Sequence, residues 1–225
     1  MDKLEELKIE YKSPEWYAIR KDHIGGSEAA AIFGCSRWKS NVDLWKEKVG
    51  LTQPKNITNE RMEAGTKSEE HILKLFAIDH PEYEVIEYKD TVFRRGFKIA
   101  SVDGGLVERS TSRKGGIEIK RVEPGNKQAW DEWDGQIPQY YYCQVLHYFS
   151  TLHWKFFILK VRFISRVPDE SDPSGKAEKV NVKEREYWFE REEERESIKI
   201  LEDAEIQFMS YVKKKERPPR KLPLI

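Results

Sequence analysis

The apolar positions along the chain change period several times, and each change predicts an element. Ser13-Pro14-Glu15 places a capping residue ahead of a proline at the first helical position. A short helix is therefore expected over residues 14–21, carrying Trp16, Ile19 and Arg20. Gly25-Gly26 opens a second helix for which Ser27 is the N-cap candidate, with Ala29, Ala30, Ala31 and Ile32 behind it. A third runs through Leu44, Trp45 and Val49 and stops at Gly50, a residue that closes helices in the left-handed conformation. After a linker at 54–58, residues 59–77 carry Met62, Ile72, Leu73, Leu75 and Phe76 mostly on one side, as a long amphipathic helix does. Asp79-His80-Pro81 breaks it.

Alternation then takes over. Residues 84–93 read as one strand (Val85, Tyr88, Val92) that turns at Arg94-Arg95-Gly96. A hairpin follows: a strand ending at Ser101-Val102-Asp103, a Gly104-Gly105 turn, a short strand at Leu106-Val107-Glu108, a polar loop, and a strand over 116–122. The polar stretch around Trp130 and Trp133 includes a short helix, with Asp131, Glu132 and Asp134 as surface acids. Residues 138–150 form a tyrosine-rich helix. Residues 153–163 and 180–189 are strands joined by a loop at 169–176, and 190–215 is a charged helix with Ile198, Leu201, Ile206 and Met209 turned inward. The first twelve residues show a loose helical spacing of Leu4 and Leu7 and read as an extension, and residues 213–225 as a basic, solvated tail. This order of elements predicts an α/β fold: a single domain over 1–225 with a central mixed β-sheet flanked by helices.

Composition narrows this only a little. A chain of 225 residues is long enough to bury a sizeable core. Its 40 basic and 40 acidic residues cancel, which argues against a general polyanion binder and leaves room for a local basic channel. Cys35 and Cys143 are far apart in sequence, so neither a disulfide framework nor a zinc or iron–sulfur site is expected. No apolar run approaches ~18 residues and no signal peptide is apparent, so the expectation is a cytoplasmic protein without a membrane partner.

The candidate chemistry sits in the hairpin. On the strand over 116–122 the period of two puts Glu118 and Lys120 on one face, and Ile117 and Ile119 on the other. Glu-x-Lys occurs four times in the chain and by itself fits an exposed strand pair of opposite charge. Only this copy lies between isoleucines and follows an Asp-Gly, at Asp103, fifteen residues upstream. Two carboxylates and an ammonium on one face suit phosphodiester hydrolysis: oxygen ligands for a divalent cation, with a positive charge near the attacking water. Two further features suit an anionic polymer. The free amides at the start of the second helix offer an anion site, the bland alternative being an ordinary capped helix. Arg37 and Trp38 offer phosphate contact and stacking, with Trp38 equally readable as core.

Ser-Val-Asp-Gly, then Gly-Ile-Glu-Ile-Lys, then Tyr141-Tyr142-Cys143-Gln144 resembles the PD-(D/E)XK nucleases. More narrowly, the chain from near Glu15 to about Phe157 is similar to the YqaJ-like viral recombinase branch that includes the phage lambda-type exonucleases. The resemblance implies a restriction-endonuclease-like core and a Mg²⁺-dependent 5′→3′ exonuclease, acting on double-stranded DNA ends in phage-type recombination by strand annealing. It implies two Mg²⁺ ions per site, replaceable by Mn²⁺, on Asp103, Glu118 and the Ile119 carbonyl, with Glu69 assisting, or Glu70 if the helix register slips by one. Lys120 would act on the attacking water or a phosphate oxygen, and Gln144 with Tyr141 would face the scissile strand. Arg20 and Ser27 would hold the 5′-phosphate. A ring-shaped homotrimer and a single-strand annealing partner are also implied. The alternatives are an endonuclease on the same core and a DNA-binding or recruitment protein that has lost catalysis.

Overall fold

The computed structural model describes residues 2–53, 60–168, 171 and 178–221, with the side chains of 60–68 and 168 outside that description. The linker at 54–58 and most of the loop at 169–176 lie outside the described residues, as does the side chain of Met62. The chain runs β1 (Glu5–Lys8), α1 (Pro14–Asp22), β2 (Ile24–Gly25), α2 (Gly26–Phe33), α3 (Asn41–Lys48) and α4 (Glu60–Asp79). Strands β3 (Tyr83–Ile86), β4 (Thr91–Arg95), β5 (Lys98–Ala100), β6 (Gly104–Glu108) and β7 (Lys114–Val122) follow. Then come α5 (Lys127–Asp131), α6 (Gln139–Leu152), β8 (Phe156–Pro168), β9 (Glu178–Glu190) and α7 (Arg195–Lys214).

The main sheet has the order β3-β6-β7-β8-β9 and is mixed. Strands β7 and β8 pair in parallel, their connection passing through α5 and α6, as a parallel pair needs a long crossover. Alternation along β7 sorts its two faces. Ile117 and Ile119 pack with Ile72, Leu73 and Phe76 of α4. On the other face Phe157, Leu159 and Val161 of β8 meet Val145, Phe149 and Leu152 of α6, backed by Ala29 and Ala30 of α2 and by Ile198 and Leu201 of α7. Each large apolar side chain so enclosed contributes about 1.5–3 kcal/mol. A second mixed sheet, β1-β4-β5-β2, lies beside the first.

One feature of register creates the site. The β6–β7 ladder ends at the Gly104–Ile117 pair, whereas the β7–β8 ladder continues to Val122–Phe163. Past Ile117, the β6 side of β7 is left to side chains.

Several expectations need correction. Gly104-Gly105 is not a turn: both glycines lie within β6 and neither has a positive φ. They are required by close approach, since a Cβ on Gly104 would stand 2.8 Å from Leu73 and 2.9 Å from Ile117. The expected first arm of the hairpin ends at Ala100 and belongs to the second sheet, so Ser101–Asp103 is the bridge between sheets. Residues 84–93 are two strands in different sheets, separated where Asp90 takes a left-handed φ of 50°. The N-terminal residues, read as an extension with loosely helical spacing, form strand β1, antiparallel to β4 with Glu5 ion-paired to Arg94. The N-cap of α2 is Gly25, not Ser27. On α7 the inward stripe is Ile198, Leu201, Glu205, Phe208 and Met209, and Ile206, off that helical spacing, is exposed. Finally, α2 packed on α6 brings the sulfurs of Cys35 and Cys143 to 3.5 Å.

Candidate active site

A cavity of about 720 Å³ opens where β6 leaves β7 uncovered. Its lining includes Glu69 from α4, Asp103 from the bridge between sheets, Glu118 and Lys120 from β7, and Gln144 and Tyr148 from α6. Arg20, Gly26 and Ser27 line it too.

Asp103 occupies the uncovered edge of β7: its Oδ2 accepts the Ile119 N–H at 2.6 Å. In a β-strand the N–H and C=O of one residue point to the same side, so the Ile119 carbonyl is directed to this edge as well. Glu118 Oε1 accepts from Lys120 Nζ at 2.6 Å and from Gln144 Nε2 at 2.7 Å. Gln144 is held in turn by Tyr148, 2.7 Å away, whose hydroxyl donates to the Ser101 carbonyl at 2.8 Å. Gly26 permits this packing, since a Cβ there would lie 2.7 Å from the Tyr148 ring.

The charges do not balance. Burial raises the pKa of Asp103 well above the ordinary carboxylate value, and Glu118 and Glu69 push it further. Burial, then Glu118, raises Glu69 in the same way. Burial opposes the Lys120 ammonium, but Glu118 and Asp103 outweigh it and hold the group more firmly cationic than a free lysine. Glu118 Oε2 is buried and accepts no hydrogen bond among the described residues. Among the described residues three carboxylates thus share one ammonium, with an oxygen to spare, which fits oxygen ligands for a hard divalent cation. Among the described residues no three histidine, cysteine, aspartate or glutamate side chains converge into a complete metal cage.

Arg20 and Ser27, which share this lining, are held by their own neighbours. Arg20 donates to Ser27 Oγ at 3.3 Å, lies 3.5 Å from Glu28 Oε1, and is spread over the Trp16 ring at 4.8 Å. Beneath it Glu28 receives Lys48 at 2.8 Å and the Gly25 N–H at 3.0 Å. Lys48 also donates to the carbonyls of Arg20 and His23 at 2.5 and 2.6 Å, which ties off the end of α1.

Other expected site residues stand differently. Glu69, not Glu70, faces the cluster; Glu70 is exposed and pairs with Lys74. Tyr141 is half-buried, with Lys120 Nζ 5.3 Å over its ring, and so backs the lysine without lining the cavity. Arg37 and Trp38 are outside the cavity lining. Arg37 donates to Glu132 and to the Tyr140 hydroxyl at 3.0 and 2.9 Å, so Glu132 is more than a surface acid. Trp38 is 64% exposed, with its edge on Tyr140, and is not core. Tyr148, Glu28 and Lys48 were not singled out from the sequence. Tyr148 was hidden in an aromatic-rich helix, although its spacing of four from Gln144 is one helical turn.

Residues 15–152 match the model of the YqaJ-like viral recombinase domain. The chain belongs to that family. It is 30% identical over 146 residues to the protein YqaJ of Bacillus subtilis (strain 168), itself described as uncharacterized. That match covers 64% of this chain and 43% of the relative, so the chain spans less than half the relative's length. Among solved structures the fold is similar to an alkaline exonuclease (LHK-Exo) from Laribacter hongkongensis, with a TM-score of 0.56 and 19% identity. It is also similar to LHK-Exo in complex with dAMP, with a TM-score of 0.52 and 19% identity. In both comparisons 90% of this chain and 94% of the other are covered. At this identity the likeness establishes a shared fold. Among the described residues no helix is long and apolar enough to cross a membrane.

Proposed function

We propose that this YqaJ-family chain is a divalent-cation-dependent deoxyribonuclease that degrades double-stranded DNA from its ends in the 5′→3′ direction. The observation that carries the proposal is the meeting of Asp103, Glu118 and Lys120 in one cavity whose lining also holds Arg20 and Ser27. The resemblance in fold to proteins described as alkaline exonucleases supports it.

Asp103, Glu118 and the Ile119 carbonyl would hold the cation, with Glu69 beside them. A bound Mg²⁺ supplies Lewis acidity there, lowering the pKa of a water and stabilising the charge that develops on the phosphate. Lys120, kept charged by its carboxylate neighbours, serves as a donor to the water or to a non-bridging phosphate oxygen, not as a base. Gln144, fixed between Glu118 and Tyr148, keeps the carboxylate oriented. Tyr141 restrains Lys120 from behind. Arg20 and Ser27 would hold the terminal 5′-phosphate, which makes the 5′ end the one that is shortened. Assembly into a ring of identical subunits and cooperation with a single-strand annealing protein belong to the same proposal.

The test is digestion of linear duplex and of closed circular duplex with Mg²⁺, with and without chelator, by wild type and Lys120→Ala. The expected outcome is cation-dependent loss of the linear substrate only, from its 5′ ends, and no digestion by the variant. Cutting of the closed circle would make the chain an endonuclease. Full activity of Lys120→Ala would overturn the assignment of the site.

A further inference from the structure

Cys35 follows Gly34, the cap of α2, and Cys143 lies on the buried side of α6. Separated by 108 residues in sequence, their sulfurs are 3.5 Å apart, and both are free thiols. A disulfide requires about 2.05 Å, so a closure of roughly 1.5 Å would join them. The two are not equivalent. Cys143 is 4% exposed, whereas Cys35 is half-buried and is the one that solvent reaches. Cys35 is also the better anchored: its N–H and its Sγ both reach the Ala30 carbonyl, at 3.0 and 3.6 Å. The hydrogen bond from Cys143 holds the Cys35 thiol below its ordinary pKa, with burial opposing. That same contact, with burial, pushes Cys143 up. Attack by Cys35 and resolution by Cys143 is the order these environments favour.

We infer that Cys35 and Cys143 form a reversible intramolecular disulfide, a modification site oxidised by small disulfides such as glutathione disulfide. The Cys35 thiolate attacks one sulfur of glutathione disulfide, forming a mixed disulfide and releasing one glutathione thiolate. The Cys143 thiolate then attacks the Cys35 sulfur, forming the protein disulfide and releasing the second glutathione. Two electrons pass from the cysteine pair to the oxidant, and the two protons end on the released thiols. The bond ties the end of the helix that carries Ser27 to the helix that carries Gln144, directly beside Gln144 in sequence. Oxidation therefore clamps two walls of the cavity together.

The test reads chemistry alone and is independent of nuclease activity. The folded chain is incubated with glutathione disulfide, its remaining thiols are alkylated, and intact mass and peptide maps are recorded. Expected are the loss of both alkylations, a Cys35–Cys143 cross-linked peptide, full reversal by dithiothreitol, and a thermal midpoint higher in the oxidised form. Cys35→Ser, at the half-buried position, keeps the fold by circular dichroism and shows neither the cross-link nor the shift in midpoint. Alkylation of both cysteines in the oxidised wild type would overturn the inference. Glutathione retained on Cys35 with Cys143 free would do the same, as would disulfide-linked dimers.

Discussion

Lys48 and Lys120 each meet a buried glutamate, Glu28 and Glu118, at 2.8 and 2.6 Å; the second pair lines the cavity and the first does not. Around Lys48 every polar group is satisfied. Glu28 has both oxygens occupied by Lys48 and the Gly25 N–H, and Lys48 and Arg20 outweigh burial and hold its pKa below the ordinary carboxylate value. Around Lys120 the account is left open: Asp103 and Glu69 are pushed up, and an oxygen of Glu118 has no donor among the described residues. Under the proposed function, the difference separates a charge buried for structure from charges buried for chemistry. A pair that only has to hold a helix end is completed internally. A cluster that has to bind something carries its imbalance until the ligand arrives.

The largest effect expected from this comparison is on activity. Asp103→Asn keeps an oxygen for the Ile119 N–H but removes the charge. It should cut DNA at least about a hundredfold more slowly, while its stability at pH 8 is equal to or above that of wild type. Lys48→Ala should do the reverse to stability. Stripping one partner from a buried pair costs about 3–5 kcal/mol, and the Arg20 and His23 carbonyls lose their donor as well. Parallel digestion assays and thermal melts distinguish the two. A Lys48→Ala chain as stable as wild type would show that the Glu28 cluster is not the structural one.

The next effect is a dependence on pH and cation. Asp103 and Glu69 have folded-state pKa values above their unfolded values, so the native state binds more protons than the unfolded state. Their effect on stability is then least unfavourable at low pH and becomes adverse as pH rises from about 4 through the raised values. Glu28, with its pKa lowered, works in the opposite sense: its contribution is full above the unfolded value and is lost on acidification. The stability advantage of Asp103→Asn over wild type should therefore be present at pH 8 and vanish near pH 4. Millimolar Mg²⁺ at pH 8 should raise the melting point of wild type and leave that of Asp103→Asn nearly unchanged. Equal responses of the two chains to Mg²⁺ would separate Asp103 from cation binding.

Much of this was legible in local pattern. Alternation about Ile117 and Ile119 places Glu118 and Lys120 together on one face, whereas Glu69 beside them follows only from the family resemblance. What local pattern cannot carry is which neighbour a strand chooses. Gly104 and Gly105 read as a turn because a glycine pair signals one in isolation. Here they serve the close passage of Leu73, Ile117 and Tyr88, all remote in sequence. The break in residues 84–93 depends on a left-handed Asp90, a conformation that aspartate permits but does not announce. Lys48, the contact of Tyr148 with the Ser101 carbonyl and the cysteine contact are equally tertiary: each has its partner remote in sequence.

The smallest effect tests the proposed phosphate contact. Arg20 is already engaged by Ser27, Glu28 and the face of Trp16, so it is positioned before any ligand arrives, and its loss leaves the Glu28–Lys48 pair in place. Arg20→Ala should therefore keep the fold and the cutting chemistry. It should lose only what a charge-assisted contact to a terminal phosphate supplies, about tenfold of the preference for 5′-phosphorylated over 5′-hydroxyl ends. Rates on the two kinds of end, measured side by side for wild type and variant, read this directly. A preference retained in Arg20→Ala would move the phosphate contact elsewhere on the cavity. Equal slowing on both ends would make Arg20 a general DNA contact, not a reader of the end.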